Sequence, residues 1–207
     1  MSILTLTPTD NKLKPIIFHI LNHYTYYDTE HFEELYKKGD LSAMFFAIAK
    51  GDVIQAYKNV FRWLPDDMKY EAFLDVYTRS EYNFNKLTIE ILELLKNLRP
   101  KSVIEELSTY ADNKGYLTIY RGECTKSTPL KKALSWTLDK ECAKWFAKRF
   151  LLESEIGYVH KAKVNINNVI GFTQARDESE VIVRGKYMEI ITKEEVFKQI
   201  ENQKGEK

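Results

Sequence analysis

The hydrophobic pattern of this chain changes its period near Gly115. Before that point, apolar residues recur every three or four positions, which is typical of amphipathic helices. After it, short segments rich in β-branched and aromatic residues alternate with turn residues, which predicts strands. Helices followed by strands indicate an α+β fold. We expect helices over 14–24, 29–38, 41–63 (one or two), 65–78, 84–98 and 102–111, and strands over 116–121, 133–137, 157–164, 169–172, 179–184 and 187–191.

The same pattern predicts the organisation of the chain. Residues 1–112 form a helical region, and residues 113–207 form a β-rich core. The helices either pack against the sheet within one domain or form a lobe of their own. We also predict a tight hairpin at residues 184–186 and a closing helix over 193–202.

One helix is predicted between the strands, over residues 139–151. Asp139 is suited to cap its start. Cys142, Phe146 and Phe150 recur at fourfold spacing and are expected to face the core, with Trp145 packed beside them.

Three short motifs carry an arginine, a hydroxyl and a carboxylate in that order, each beside a predicted strand. They are Tyr120-Arg121-Gly122, Ser135-Trp136-Thr137 and Glu178-Ser179-Glu180. Together they resemble the arginine–serine–glutamate signature of mono-ADP-ribosyltransferases, which split NAD and transfer its ADP-ribose to a target. The resemblance covers residues 116–191 and implies a split β-sheet core preceded by helices, in a phage protein or a bacterial effector.

The chemistry explains why these residue types are needed. Cleavage of the bond between nicotinamide and ribose builds positive charge on the sugar, so a carboxylate close to it stabilises the transition state. Glu180 is the candidate for this role. Arg121 offers a planar fork of donors that suits the diphosphate of NAD. Gly122 allows close approach of the backbone, and the resemblance implies that this backbone holds the nicotinamide amide.

The second motif is expected to brace the site. The resemblance implies that Ser135 hydrogen-bonds within the NAD site and supports Glu180. Thr137 lies on the same side of a strand as Ser135, because side chains alternate. Tyr120 and Trp136 complete the expected cofactor-binding set, although core or rim packing is the preferred interpretation for Trp136.

Glu178 is the candidate for handling the acceptor. It precedes Glu180 by two residues, so in an extended segment both carboxylates would face the same way. In the resembled family such a glutamate accompanies arginine acceptors, and the turn over residues 172–177 would present the target. Phe172 stands at the start of this turn, whereas many relatives carry an aromatic residue inside it.

Three functions remain open from the sequence. The first is ADP-ribosylation of a protein arginine. The second is modification of a nucleic-acid base, or simple NAD hydrolysis. The third is an inactive binding module that acts through the helical half. Each motif alone also has an ordinary structural interpretation, for example a surface arginine, a helix cap or a solvated edge strand.

Composition excludes some other classes. The formal net charge is +1, so nothing demands a nucleic-acid partner. The two cysteines, Cys124 and Cys142, indicate no disulfide framework. His19 and His23 are four apart, but Ile20 stands where a zinc protease needs its glutamate, so we predict no metal. Without a signal-peptide pattern or a run of about 20 apolar residues, we expect no membrane partner and a cytoplasmic protein of the producing or host cell.

Overall fold

A computed structural model describes residues 4–6, 12–80, 82–152 and 155–197 of the chain. It is of the α+β class, as predicted. The chain divides into two compact units, Met1–Arg99 and Pro100–Lys207. This division lies one helix before the sequence-based boundary at 112/113, because the helix after Pro100 contributes Leu107 to the core of the sheet.

Within its described residues, the first unit consists of helices and short turns. The helices are α1 (Lys14–Asn22), α2 (Thr29–Lys38), α3 (Leu41–Phe46), α4 (Val53–Val60), α5 (Asp66–Arg79) and α6 (Ile89–Leu98). Turns of 3-10 helix at Phe61–Trp63 and Phe84–Lys86 extend α4 and precede α6.

Side-chain caps fix where several of these helices begin and end. Asp28 accepts a hydrogen bond from the His31 amide at the start of α2 (2.8 Å), and Asp40 does the same for Ala43 in α3 (2.9 Å). Gly39 ends α2 in the left-handed conformation, with φ 69°. The predicted limits of α2 are therefore confirmed.

Aromatic rings fill the core of the first unit. The Tyr57 ring lies 6.2 Å from the rings of both Phe45 and Phe73, and its hydroxyl donates to the Lys69 carbonyl (2.8 Å). Burial raises the pKa of Tyr57 well above its ordinary value, because the phenolate would be cut off from water.

The second unit, in its described residues, is one sheet with two helices. Its elements are α7 (Lys101–Ser108), β1 (Tyr116–Glu123), β2 (Ser135–Thr137), α8 (Lys140–Lys148), β3 (Ile156–Asn165), β4 (Gly171–Thr173), β5 (Glu180–Ile182) and β6 (Met188–Phe197). The strands are antiparallel to their neighbours, in the order β4-β5-β2-β1-β3-β6.

The sheet consists of two halves with a narrow junction. β1 pairs with β3 along its whole length, and β3 pairs with β6 from Ile156 to Val164 with a shift of register between Lys161 and Ala162. In the described chain, β1 pairs with β2 at one position, Tyr120 opposite Thr137. The strands β4, β5 and β2 therefore form one half, and β1, β3 and β6 form the other.

The two faces of the sheet are covered differently. One face holds the larger apolar cluster, where α7 and Trp136 pack against the buried residues of β1 and β3. On the other face α8 presents Ala143 and Ala147 to Val159 and Val196. Asp139 caps α8 by accepting from the Glu141 amide (2.7 Å), which confirms the predicted cap.

Two local predictions at the end of the chain are wrong. Residues 184–186 do not form a hairpin, because β5 pairs with β2 and β4 whereas β6 pairs with β3. The predicted closing helix begins inside β6, which continues to Phe197; residues 198–202 lie outside the described residues. β6 is an edge strand with a largely exposed, charged surface, so it lacks the apolar alternation that marks a buried strand.

The interpretation of α8 is also corrected. Ala143 and Ala147 are its buried residues, while Cys142 and Phe146 are half-buried and Phe150 is exposed. Trp145 is 56% exposed and does not fill the core. The cause is the close approach of α8 to the sheet, which leaves room only for its smallest side chains.

No helix in the described parts of the chain combines the length and apolar character needed to cross a bilayer.

Candidate functional site

The strand registers bring residues of all three motifs to the junction of the sheet. Tyr120 of β1 lies opposite Thr137 of β2, and Thr137 lies opposite Glu180 of β5. Glu180 in turn lies opposite Thr173 of β4. Because directly opposite residues share a face, these four side chains form a row across four strands. Glu180 is buried within this row, at 4% exposure.

Glu178 does not lie in a strand. The expectation that Glu178 and Glu180 face the same way assumed an extended segment, and this assumption is wrong. It has helical backbone angles (φ −91°, ψ −11°) and stands between two residues with positive φ, Asp177 (56°) and Ser179 (43°). Thr137 ties this turn to β2, because its hydroxyl donates to the Glu178 carbonyl (2.6 Å). The Leu138 amide donates to the Ser179 carbonyl (3.1 Å).

The Cys142 thiol lies near the start of α8, and charged groups of the third motif affect its pKa. Burial raises the pKa of Cys142, a hydrogen bond with Thr137 lowers it, and the charges of Glu178, Asp139 and Glu180 raise it. The net result is a thiol with a raised pKa at the start of α8, and Thr137, its hydrogen-bond partner, also donates to the Glu178 backbone carbonyl.

Arg121 makes hydrogen bonds to two backbone segments. Its Nη1 donates to the Ser135 carbonyl (2.7 Å) and its Nη2 to the Thr128 carbonyl (3.3 Å). The guanidinium thus joins β1 to the start of β2 and to the loop between them. It contacts the serine motif at the Ser135 backbone carbonyl.

Alternation along β1 separates Arg121 from the row of Tyr120, Thr137 and Glu180. Leu117 and Ile119 belong to the larger cluster, so Arg121, two residues further, starts from that same face. Tyr120 packs instead with the small cluster under α8. Arg121, the predicted cation, and Glu180, the predicted carboxylate, therefore extend from different faces of the sheet. Both lie close to the junction where β1 and β2 pair at one position.

The role of Gly122 differs from the one expected for a ligand contact. A Cβ at this position would lie 2.1 Å from the Ala143 carbonyl oxygen and 2.5 Å from the Ala147 amide nitrogen. Both atoms belong to the backbone of α8. The close packing of α8 therefore requires a glycine at position 122, independently of any ligand that the Gly122 backbone binds.

Two aromatic residues near the motifs are buried. Trp136 is 2% exposed in the larger cluster, in agreement with the preferred interpretation, and its ring is closed to a ligand in this conformation. Phe172 is 5% exposed, and its ring lies 5.9 Å from that of Tyr110. It does not contribute an exposed aromatic side chain to the turn that precedes Glu178.

A polar pair that was not among the residues selected from the sequence lies beside Arg121. His160 of β3 lies directly opposite Arg121 and is 4% exposed. Its Nε2 is 2.6 Å from the Glu123 carboxylate. Glu123 follows Arg121 by two residues in a strand, so alternation could have placed both on one face. Glu123 adds a negative charge near the guanidinium.

The contacts of Arg121 lead to a prediction for Arg121→Lys. One ammonium cannot reproduce a planar fork that spans two backbone segments, so we expect a lower melting temperature. If the guanidinium also binds the NAD diphosphate, the dissociation constant for NAD should rise at least tenfold, as for loss of a hydrogen bond to a charged group. Titration calorimetry and thermal melting measure the two effects. Arg62→Lys, in the first unit, is the control, and an unchanged NAD affinity would restrict Arg121 to a structural role.

Metal chemistry receives no support within the described residues, which contain no group of three or more side chains able to hold a metal ion. Comparison of the chain with protein-family models, with curated proteins and with solved structures gives no match.

Proposed function

We propose that this protein is an ADP-ribosyltransferase that uses NAD as its substrate. In the reaction, the bond between ribose C1′ and the nicotinamide nitrogen breaks, and nicotinamide leaves as a neutral molecule. A nucleophilic atom of the acceptor forms a new bond to C1′ and releases one proton. Simple NAD hydrolysis is the same reaction with water as the acceptor.

One observation carries this proposal. Tyr120, Thr137 and Glu180 are separated by up to 60 positions in the sequence, yet they lie directly opposite one another on three adjacent strands. Arg121 and Ser135 are joined by a hydrogen bond at the same junction. The proposal is supported by this placement, because a site of this kind needs its arginine, hydroxyl and carboxylate near one another.

Glu180 is suited to stabilise a developing cation. It is held in a strand between Thr137 and Thr173 and is nearly excluded from water. A fixed charge in such a place acts more strongly on the reacting ribose than an exposed one, and it needs no reorganisation during the reaction. Its carboxylate would face the positive charge that builds at C1′ as nicotinamide departs.

Arg121 is suited to hold the diphosphate at the edge of the same junction. Two of its guanidinium nitrogens are fixed by the carbonyls of Ser135 and Thr128, which orients the whole planar group. A fixed orientation lowers the entropic cost of binding phosphate oxygens.

Glu178 is the candidate for handling the acceptor. Its turn is tied to β2 by the hydrogen bond from Thr137, the residue that lies directly opposite Glu180. From this position it would take up the proton that the acceptor releases. A protein arginine is the acceptor that the family resemblance implies, but the burial of Phe172 removes one contact expected for a bound protein.

The function is tested with labelled NAD. Release of free nicotinamide from purified protein establishes cleavage, and label on macromolecules after addition of lysate establishes transfer. Label lost on protease treatment identifies a protein acceptor, and label lost on nuclease treatment identifies a nucleic acid. Nicotinamide release without labelled macromolecules means hydrolysis. No release under any condition rejects the proposal and favours a binding module.

A further prediction separates the two glutamates. Glu178→Gln should lose transfer to the acceptor by one or more orders of magnitude while nicotinamide release in water is retained, because water needs less positioning than a macromolecular nucleophile. The paired measurement is label transfer with acceptor and nicotinamide release without it. Glu189→Gln, on the exposed part of β6, is the control. Equal losses in both assays would assign Glu178 to NAD cleavage instead.

A further inference from the structure

The exposed side of α8 carries an aromatic and basic surface. We call it the Trp145 surface and define it as Lys126, Trp145, Arg149 and Phe150. Trp145 is 56% exposed and Phe150 is 48% exposed. A contiguous exposed patch of this kind, unlike a single exposed aromatic residue, is typical of an interaction site.

The cations of the Trp145 surface are arranged on its rings. The Arg149 guanidinium lies 5.1 Å from the centre of the Trp145 ring and 4.9 Å from that of Phe150. The Lys126 ammonium lies 5.8 Å from the Phe150 ring. These cation–π contacts hold the charged groups in place before any partner binds.

The charges of this surface are not neutralised within the described residues. There, neither Lys126 nor Arg149 forms an ion pair. Glu155, on the adjacent loop, instead interacts with the Thr125 hydroxyl (3.3 Å) and accepts from the Leu152 amide (2.9 Å). The surface therefore offers positive charge to a negatively charged partner.

The surface leads along α8 to the candidate site. Cys142, Trp145 and Arg149 have the spacing i, i+3, i+7 and so lie on one stripe of the helix. Trp145 and Arg149 lie about 4.5 and 10 Å beyond Cys142 along the helix axis. Cys142 lies in the first turn of α8, five residues after Thr137, the strand partner of Glu180. A chain bound along the stripe would therefore run toward the end of α8 that adjoins the row of Tyr120, Thr137 and Glu180.

We infer that the Trp145 surface binds single-stranded nucleic acid. Fixed cations beside accessible aromatic rings match the two parts of such a strand, because phosphates bind the cations and unstacked bases stack on the rings. An acidic peptide would use the charges but not the rings. A bilayer would require a broad apolar face, whereas Trp145 is flanked on α8 by Lys144 and Lys148. The strand would also be the acceptor of the transferred ADP-ribose, and this role rests on the proposed function. The binding of the strand to the Trp145 surface does not depend on that function.

The inference is tested by binding in the absence of NAD. The fluorescence anisotropy of a labelled 12-nucleotide single strand, of DNA or RNA, is titrated with the full chain and compared with a duplex of the same length. We expect the single strand to bind at least tenfold more tightly, because duplex bases cannot stack on the protein. Trp145→Ala should weaken binding about 10- to 100-fold, and Trp145→Phe should preserve most of it.

The salt dependence gives an independent measure. Lys126→Ala should reduce the slope of the logarithm of affinity against the logarithm of salt concentration by about 0.7, the contribution of one phosphate contact on a single strand. Lys101→Ala, an exposed lysine on α7, is the matched control and should leave the slope unchanged. All variants change exposed side chains, so circular dichroism should match that of the unaltered protein.

Several results would overturn this inference. They are no binding of the single strand, equal binding of the duplex, or an affinity that Trp145→Ala leaves unchanged. Preferential binding to vesicles of anionic phospholipid or to polyglutamate would assign the surface to another partner. Binding of the strand without any nicotinamide release would support the Trp145 surface as a binding site and reject the proposed transferase activity. Failure of the inference and failure of the proposed function are therefore distinguishable.

Discussion

Gly122→Ala is expected to lower the melting temperature of the second unit by roughly 10–20 °C. The added Cβ would lie 2.1 Å from the Ala143 carbonyl oxygen and 2.5 Å from the Ala147 amide nitrogen. These are backbone atoms of α8, so no rotation of a side chain relieves the overlap, and the helix must move. Overpacking of this kind costs about 1–3 kcal/mol or more, and each kcal/mol shifts the melting temperature of a unit of this size by about 4–8 °C.

The displacement should also be visible locally. Hydrogen exchange of the α8 amides should accelerate in Gly122→Ala, because the helix loses its contact with β1 and β3. Gly51→Ala is the matched control. Its added Cβ would meet the Tyr82 hydroxyl at 3.1 Å, the far end of a flexible side chain that can give way. If Gly122→Ala melts and exchanges like Gly51→Ala, then α8 does not pack as closely as described.

The behaviour of α8 explains one limit of the sequence-based argument. Its start was predictable, because Asp139 is a favoured cap and stands before a helical pattern. The buried side of α8 was not predictable, because the fourfold spacing of large apolar residues indicated Cys142, Phe146 and Phe150 as the buried residues. The two alanines face Gly122 and Gly157, and a Cβ on Gly157 would lie 2.6 Å from the Ala147 carbonyl. Close packing of a helix on two glycines is a tertiary feature, invisible to periodicity.

The candidate site shows a second limit. Its residues were selected from motifs beside predicted strands, and the registers bring Tyr120, Thr137 and Glu180 into one row because short antiparallel strands pair as alternation requires. The turn that holds Glu178 was not predictable, since Asp177 and Ser179 take positive φ without being glycine. His160 was missed because nothing in the sequence indicates which residue of β3 lies opposite Arg121.

Glu180→Gln should lower the rate of nicotinamide release by about 10²–10³-fold. The amide has the same shape as the carboxylate but no charge, so the developing cation on ribose loses the group that stabilises it, and losses of this size are usual for fixed electrostatic groups. Binding of NAD should be retained, because the uncleaved substrate carries little of that charge.

The measurement of Glu180→Gln needs to separate chemistry from folding. Nicotinamide release reports the reaction, titration calorimetry reports NAD binding, and thermal melting reports the fold. Glu189→Gln makes the same chemical change on an exposed position of β6, and it should leave all three unaltered. Release close to that of the unaltered protein would remove Glu180 from the reaction. A loss of release accompanied by a collapse in melting temperature would mean that the buried carboxylate holds the junction of the two half-sheets together, and Glu180 would then be a structural residue.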